Sequence, residues 1–525
     1  MYHEIQLRLT PQQSASDEAV LSEIAHQLGI KVSDITATRL QKRSIDARKR
    51  QVMILEQHGV WIGEEPQPEQ LHLPGYPDVH GAPSIVVVGA GPGGLYAALR
   101  LIELGVRPIV LERGKDVSSR KVDLAQLNRF HKVDPESNYS FGEGGAGTFS
   151  DGKLFTRSTK RGDVRKILEV FVHHGAQHDI LIDAHPHIGT DKLPYIIKAM
   201  RETIISSGGE VHFGAKVTDL IIANSAVRGV VLSDDSKVEA QAVILATGHS
   251  ARDVYEMLNK RGIALEAKTW AMGVRVEHPQ ELIDEIQYHS PEGRGDYLPA
   301  ATYSLATQVA GRGVYSFCMC PGGFIVPAMT DNEQMVVNGM SPSKRNSPFA
   351  NSAIVVEVHP EDIGEYQNDG IMGGLHYQSN LERMAYFNGG HGITAPAQAL
   401  ADFVKGRLSA ELPETSYIPG VISSPLHFWL PDNIGDRLRK GFEVFDSQAH
   451  GFLTNEAMII GVESRTSSPV RIPRNAETMQ HIQIAGLYPC GEGAGYAGGI
   501  VSSAIDGELC AEKAAEYVGK REEKL

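Results

Sequence analysis

SIVVVGAGPGGLYAALRLIELGVRPIVLERG, residues 84–114, runs from an unbroken apolar segment through a glycine-rich turn into a helical pattern. Ile85 to Val88 read as a strand buried on both faces, as the centre of a parallel sheet requires. Gly89-x-Gly91-x-x-Gly94 follows, with Ala90, Pro92 and Gly93 between, and Leu95, Leu99 and Ile102 then fall on one helix face. A second strand, PIVLE, ends at Glu112, 23 residues after Gly89, with Arg113 beside it. Each glycine has a separate reason: Gly89 for the tight turn, Gly91 for approach of a pyrophosphate, Gly94 for close helix packing. The helix start adds backbone amides and the positive end of its dipole. Glu112 is placed to accept hydrogen bonds from a ribose diol. The combination predicts a dinucleotide site; it does not separate FAD from NAD(P). The competing reading is a plain strand–turn–helix whose small residues serve packing.

The rest of the composition sets the class. A chain of 525 residues implies two to four domains. Glycine, at 54 residues, is about one in ten against roughly 7% on average, which suits ligand binding by backbone. A net charge of −14 argues against sequence-independent binding to nucleic acid or to an anionic membrane. The first residues, MYHEIQLRLTPQQ, do not read as a signal peptide. The most apolar segment, Ile85 to Val106, is interrupted by glycines, Pro92, Arg100 and Glu103, so no membrane span is expected. Four cysteines in so long a chain fit a reducing cytoplasm better than a disulfide scaffold.

Along the chain, residues 1–65 read as a small β-α-β-β unit of ferredoxin-like type, with the basic stretch RSIDARKRQ near its end. Residues 66–83, rich in proline and acidic residues, read as a linker. Residues 84–264 form the first part of a dinucleotide-binding domain, 265–480 a mixed unit with a helix near Pro396 to Leu408, and 481–525 a returning strand, glycine-rich loop and helix.

Two distant segments sharpen the cofactor. KVEAQAVILATG is an apolar strand ending in Ala246-Thr247-Gly248, and LYPCGEGAGYAGGIV carries Gly491-Glu492 and then Gly498-Gly499-Ile500. Here the chain resembles the FAD-binding oxidoreductases of the two-dinucleotide-domain type. That resemblance implies that the ATG strand end passes the cofactor, that Gly491 and Glu492 meet the ribityl–pyrophosphate region, and that Gly498–Ile500 face the flavin pyrimidine. It also implies that SFGEGGAGTFSDGKL, through Gly144, Gly145, Ala146, Gly147 and Thr148, turns amides toward the flavin or pyrophosphate, and that Val217 holds the adenine. Over nearly its whole length the chain resembles a narrower bacterial family of uncharacterised FAD-dependent dehydrogenases, on the segments RSIDARKRQ, GEGGAGTFSDGKL, MGVRVEHP, FCMCPGG, NGMSPSKR and ESRTSSPVRI. The implied fold is α/β: a Rossmann-like FAD-binding domain assembled from separated segments, a mixed α+β substrate or cap domain, and the small N-terminal domain.

The chemistry would then belong to non-covalently bound FAD, with transfer of a hydride or electrons to an unidentified small molecule. A second strand–GxGxxG–helix is missing from the sequence, so NAD(P)H would act only as a transient reductant without its own domain. Residues 265–480 are expected to form the substrate pocket. Its candidate polar groups are Arg275, His278, Arg345, His391, Arg465 and Arg471. An arginine there would favour an anionic substrate, although a structural ion pair is the commoner fate of each. Two alternatives stand beside the oxidoreductase: an FAD-dependent RNA-modifying protein, for which RSIDARKRQ is the relevant stretch, and a protein with a structural flavin.

Cys318 and Cys320, in SFCMCPGG, are the remaining candidates. A regular strand would place both on one face with Met319 opposite, about 6.5–7 Å apart at a rise of roughly 3.3 Å per residue, the outer edge of disulfide geometry. Packed side chains, a redox or nucleophilic role beside the flavin, and metal binding are all open, the last needing further ligands. No metal site is expected.

Overall fold

The structure, a computed structural model, describes residues 1–71, 74–156 and 160–522. Its centre is a five-stranded parallel sheet in the order Leu487–Pro489, Val243–Leu245, Ser84–Val88, Arg107–Leu111, Glu210–His212. Ile85, Val86 and Val87 are fully buried, as the continuous apolar run requires. The sheet draws on three stretches far apart in sequence, so the C-terminal segment completes a domain begun 400 residues earlier.

Helix Pro92–Glu103, led in by Gly91 and Pro92, runs against the long helix Ile500–Glu522. A Cβ at Gly507 would lie 2.1 Å from the Gly93 carbonyl oxygen, so these helices touch backbone to backbone. Gly89 has φ +102°, and a Cβ on Gly94 would lie 1.9 Å from the Gly89 oxygen. The sequence reasons for both glycines hold: a positive φ at one and no room for a side chain at the other.

A second unit is built on a seven-stranded sheet in the order Ala306–Val309, Arg312–Cys320, Phe349–Val358, Trp270–Pro279, Met458–Glu463, Ala395–Ala399, Val421–Ser423. Only the last pair is parallel. Helix Asp432–Gln448 closes its core with Phe442 and Phe445. The helix expected near Pro396 to Leu408 is instead strand Ala395–Ala399 followed by helix Leu400–Lys405. All five strand residues are buried between two partners, and that pairing overrides the helical preference of alanine.

The N-terminal unit has strands Tyr2–Leu9, Ile35–Asp46 and Met53–Ile62 and helix Asp17–Leu28, with the third strand antiparallel between the other two. This is the split β-α-β arrangement of ferredoxin-like folds, limited to three strands. Its basic hairpin docks on the body: Arg43 pairs with Asp183 at 3.0 Å, and Val52 joins the core of the second unit. Residues 66–83 carry no helix or strand among those described, yet they are fastened down. Glu69 binds Arg165 at 2.8 Å and His178 at 2.9 Å, and Val79 is buried. Among the described residues no helix is long and apolar enough to cross a membrane.

Candidate functional site

A cavity of about 370 Å³ opens at the carboxyl ends of the parallel strands, where open α/β sheets bind ligands. One wall is the cofactor sheet: Gly89, Gly91 and Gly93 after the first strand, Glu112 and Arg113 after the second, Val217, Ala246–Gly248, and Gly491–Glu492. Gly145, Ala146 and Gly147 face them, and Gly498, Gly499 and Ile500 close one end. The opposite wall comes from the seven-stranded unit, with Phe317, Cys318, Asn338, Glu463 and Arg465.

The backbone of this cavity fits a dinucleotide. A Cβ at Gly248, Gly498 or Gly499 would meet nothing within 4 Å, and at Gly91 only Gly145 Cα at 3.9 Å. These glycines therefore leave bare backbone on the wall. Helix Pro92–Glu103 starts there without a side-chain cap, so its first N–H groups are free for phosphate oxygens. FAD would lie along Gly91–Gly93, Gly145–Gly147, Gly491–Glu492 and Gly498–Ile500.

Several expected residues have structural duties instead. The Glu112 carboxylate accepts from the backbone amides of Ala90 (2.8 Å), Gly114 (2.9 Å) and Gly142 (3.0 Å), pinning two cofactor loops together. Arg113 lies over the Phe141 ring and pairs with Glu136 and Asp253. Ala90, Gly94, Gly144 and Thr148 stand behind the wall. Thr148 donates its hydroxyl to the Glu143 carbonyl at 2.7 Å, and a Cβ on Gly144 would collide with that hydroxyl. They shape the loop; they do not line it.

The arginines are ion-paired. Arg465 reaches the cavity, but its guanidinium is spent on Glu382 (3.0 and 3.1 Å), Thr330 (2.9 Å) and Gln334 (2.6 Å). Arg252, from the cofactor half, binds the same Glu382 carboxylate at 2.8 and 2.9 Å. Glu382 is fully buried; burial pushes its carboxyl up, and the two arginines pull it down to about 2. Arg275 pairs with Glu463 at 3.1 Å and Arg345 with Asp151 at 2.6 Å. Arg471 lies off the cavity against Tyr496. His278 is buried, donates Nε2–H to the Phe452 carbonyl at 2.9 Å, and is pushed down to about 4 by burial. His391 corrects the sequence expectation of a catalytic histidine: it is exposed on a turn with φ +62°, against the rings of Tyr386 and Phe387, and off the cavity wall. A glycine-flanked histidine is as well suited to a left-handed turn as to catalysis.

The cysteine pair departs from a regular strand. The ladder between Arg312–Cys320 and Phe349–Val358 slips between Phe317 and Cys320, and Cys318 has φ +48°. A bulge of this kind re-aims its side chain. It places Cys318 on the cavity wall and leaves Cys320 fully buried rather than beside it on that wall. Cys320 Sγ lies 3.5 Å from Arg275 Nη2 and 3.8 Å from Lys153 Nζ, while Arg275 also donates to the Cys318 carbonyl at 2.9 Å. Cys320 Sγ donates to the Cys318 carbonyl oxygen at 3.3 Å. The interaction with the neighbouring Cys320, with Lys153 and Arg275 alongside, holds Cys318 well below the ordinary thiol value against the effect of burial; the same coupling and burial push Cys320 up.

Lys153, Asp151, Asn338 and Glu463 were not singled out in the sequence. Lys153 lines the cavity and binds Asp151 at 2.8 Å, and Asp151 in turn holds Arg345. The available signal was the triplet Asp151-Gly152-Lys153 at the end of the glycine-rich block. Cys490, Asp506 and Cys510 lie within 4.8 Å of one another, the one group of metal-ligand type among the described residues. Arg474 binds both Asp506 oxygens and reaches Cys510 Sγ at 3.5 Å, so a guanidinium already supplies the positive charge there.

The protein family described as "FAD-dependent protein, C-terminal domain-like" matches residues 269–466, and a domain of unknown function matches residues 1–60. An uncharacterized protein of Clostridium beijerinckii is 40% identical over 515 residues, covering 94% of this chain and 95% of that protein. A thiamine thiazole synthase of Aeropyrum pernix is 28% identical over 216 residues, 38% of this chain and 66% of the other. Among solved structures, a geranylgeranyl bacteriochlorophyll reductase-like protein of Thermoplasma acidophilum aligns at TM-score 0.35 and 14% identity, over 84% of this chain and 80% of that one. CtdE in complex with FAD aligns at TM-score 0.32 and 11% identity, over 83% and 88%.

Proposed function

This chain belongs to the family of uncharacterised FAD-dependent proteins that includes the Clostridium beijerinckii relative, and on that premise we propose that it is an oxidoreductase passing electrons between FAD and a small molecule held against the seven-stranded unit. One observation carries this reading: a single cavity runs from the dinucleotide cradle to a polar wall that holds Cys318, Lys153, Asn338 and Glu463. A purely structural flavin would need no such second wall.

Bound FAD would supply two-electron acceptance and donation at its isoalloxazine ring. The glycine loops and the helix start at Pro92 bind its pyrophosphate, and Glu112 fixes the geometry of those loops. Glu492 stands half-buried at the cavity, raised to about 7 by burial and then by the Cys318 charge, so its carboxyl can take up or release a proton near neutral pH. His249 Nε2 lies 3.6 Å away and is pushed down to about 4, first by burial and then by Arg465 and Arg252, so it stays neutral. An anionic substrate would be met by Lys153, since the arginine on that wall is fully engaged by Glu382 and its neighbours. The composition, with few cysteines and an acidic balance, suits work in the cytoplasm.

The test is anaerobic spectrophotometry of the purified yellow protein with NADH, NADPH and a panel of small-molecule donors. Bleaching by one of them supports the reading and names the donor class. A flavin that dithionite reduces but every donor leaves oxidised would overturn it.

A further inference from the structure

Lys153 Nζ and Arg275 Nη2 lie 3.8 and 3.5 Å from Cys320 Sγ, and Lys153 shares the Asp151 carboxylate with Arg345. Cations placed this way favour a thiolate in the pair. The bulge adds a second, independent feature. A cysteine at φ +48° is an unusual conformation for a side chain with a Cβ, and such positions are held only where the surroundings enforce them. Here the Arg275 hydrogen bond to the Cys318 carbonyl holds it. A straight strand would set the two cysteines at the edge of disulfide reach; the bulge turns Cys320 Sγ back to 3.3 Å from the Cys318 carbonyl oxygen, with Arg275 Nη2 against both residues. Gly339 serves the same cluster. A Cβ there would lie 2.2 Å from Arg275 Nη2, so the guanidinium depends on that glycine for its place under the pair.

We propose that Cys318 and Cys320 form a redox-active dithiol/disulfide that exchanges electrons with the bound FAD, Cys318 being the member on the cavity wall and Cys320 the buried partner. This rests on the oxidoreductase reading above and extends it to a second electron store in the same cavity. The step balances. Joining the Cys318 thiolate to the Cys320 thiol forms one S–S bond and releases two electrons and one proton. Those match the two-electron, one-proton reduction of oxidised FAD to its anionic reduced form. In the opposite direction the S–S bond breaks, and Cys320 recovers the proton with Lys153 and Arg275 beside the sulfurs. The protein would then hold four electrons per FAD, and a substrate of the thiol, disulfide or related sulfur class would exchange at Cys318.

The experiment uses the full-length holoprotein. Alkylation and peptide mass mapping of the air-oxidised protein should find Cys318 and Cys320 joined and Cys490 and Cys510 free. Anaerobic dithionite titration should then consume four electrons per FAD in the wild type and two in Cys318→Ser and Cys320→Ser, with FAD content confirming that each variant is folded. Should one variant fail to fold, the other, together with the wild-type mapping, carries the test. Both thiols alkylated in the oxidised protein with two electrons consumed would overturn the proposal, as would four-electron uptake that survives Cys318→Ser. The two readings separate cleanly. Four-electron uptake by a flavin that no donor reduces keeps the thiol pair and sinks the substrate reading; two-electron uptake by a flavin that a donor bleaches does the reverse.

Discussion

Arg345 grips Asp151 with two hydrogen bonds, Nε to Oδ1 at 3.1 Å and Nη2 to Oδ2 at 2.6 Å, across 194 residues of sequence. The pair closes the seam between the cofactor half and the second unit, at the edge of the cavity. Asp151 is buried at 1% exposure and also holds Lys153. Asp151→Asn keeps the shape and removes the charge, leaving two cations facing each other. The expected cost is about 3–5 kcal/mol, the usual penalty for breaking a buried pair from one side. Urea unfolding of the holoprotein measures it, and a loss below about 1 kcal/mol would show the seam to be held by other contacts.

Acid should weaken this protein through the same groups. Burial pushes the Asp151 carboxyl up, but Lys153 and Arg345 pull it down to about 2, and Glu382 reaches about 2 between Arg252 and Arg465. Both folded values lie below the unfolded ones of about 4. Their stabilisation is therefore complete above that value and is lost as pH falls toward 2, because the unfolded chain takes up more protons. Melting temperatures from pH 7 to pH 3 should fall more steeply in the wild type than in Asp151→Asn or Glu382→Gln. Parallel curves would contradict the assignment.

Gly91 and Gly94, three positions apart, should behave differently. Gly91 borders open cavity, so Gly91→Ala should leave the apo fold intact while weakening FAD binding by on the order of tenfold, about 1.4 kcal/mol. Gly94 abuts the Gly89 carbonyl, so Gly94→Ala should lower the melting temperature of the apoprotein as well. Fluorescence titration with FAD and calorimetry of the apoprotein distinguish the two, and identical behaviour would refute the division of labour.

Cys318 should be the thiol that iodoacetamide attacks first, since it is half-buried on the cavity wall while Cys320, Cys490 and Cys510 are buried. Lys153→Met removes a cation near the sulfurs and should slow that alkylation roughly tenfold at neutral pH by restoring the thiol. An unchanged rate would mean that Lys153 does not hold the thiolate.

His391→Ala is expected to change neither FAD content nor the rate of flavin reduction by any donor. The residue is exposed and away from the cavity. A drop in reduction rate with normal FAD content would return it to the active machinery.

The cofactor half was legible because its requirements are local. Gly89 must take a positive φ and Gly94 must lack a side chain, and both demands are met by residues within a dozen positions of one another. Glu112 was found by spacing, but its carboxylate proved to hold three backbone amides, one of them from Gly142 in a loop 30 residues on. The helix expected near Pro396 to Leu408 overruns the end of strand Ala395–Ala399, because small residues buried on every side carry no period of two.

By itself the sequence determined the strand–turn–helix at residue 84, its completion by the segment at 487, and a dinucleotide as the ligand, because backbone geometry and glycine placement are written in adjacent residues. FAD rather than NAD(P) came from the resemblance carried by the segments at 246 and 491. Only the tertiary structure decided which charges face the cavity. Arg275 meets Glu463 across 188 residues and Arg345 meets Asp151 across 194, so each arginine that looked free in the sequence is neutralised by a distant carboxylate. The thiol pair belongs to the same class. Its bulge arises from a slip against Phe349–Val358, and the cations beside it come from Lys153 and Arg275, so its chemistry exists only where those separate strands and loops are brought together.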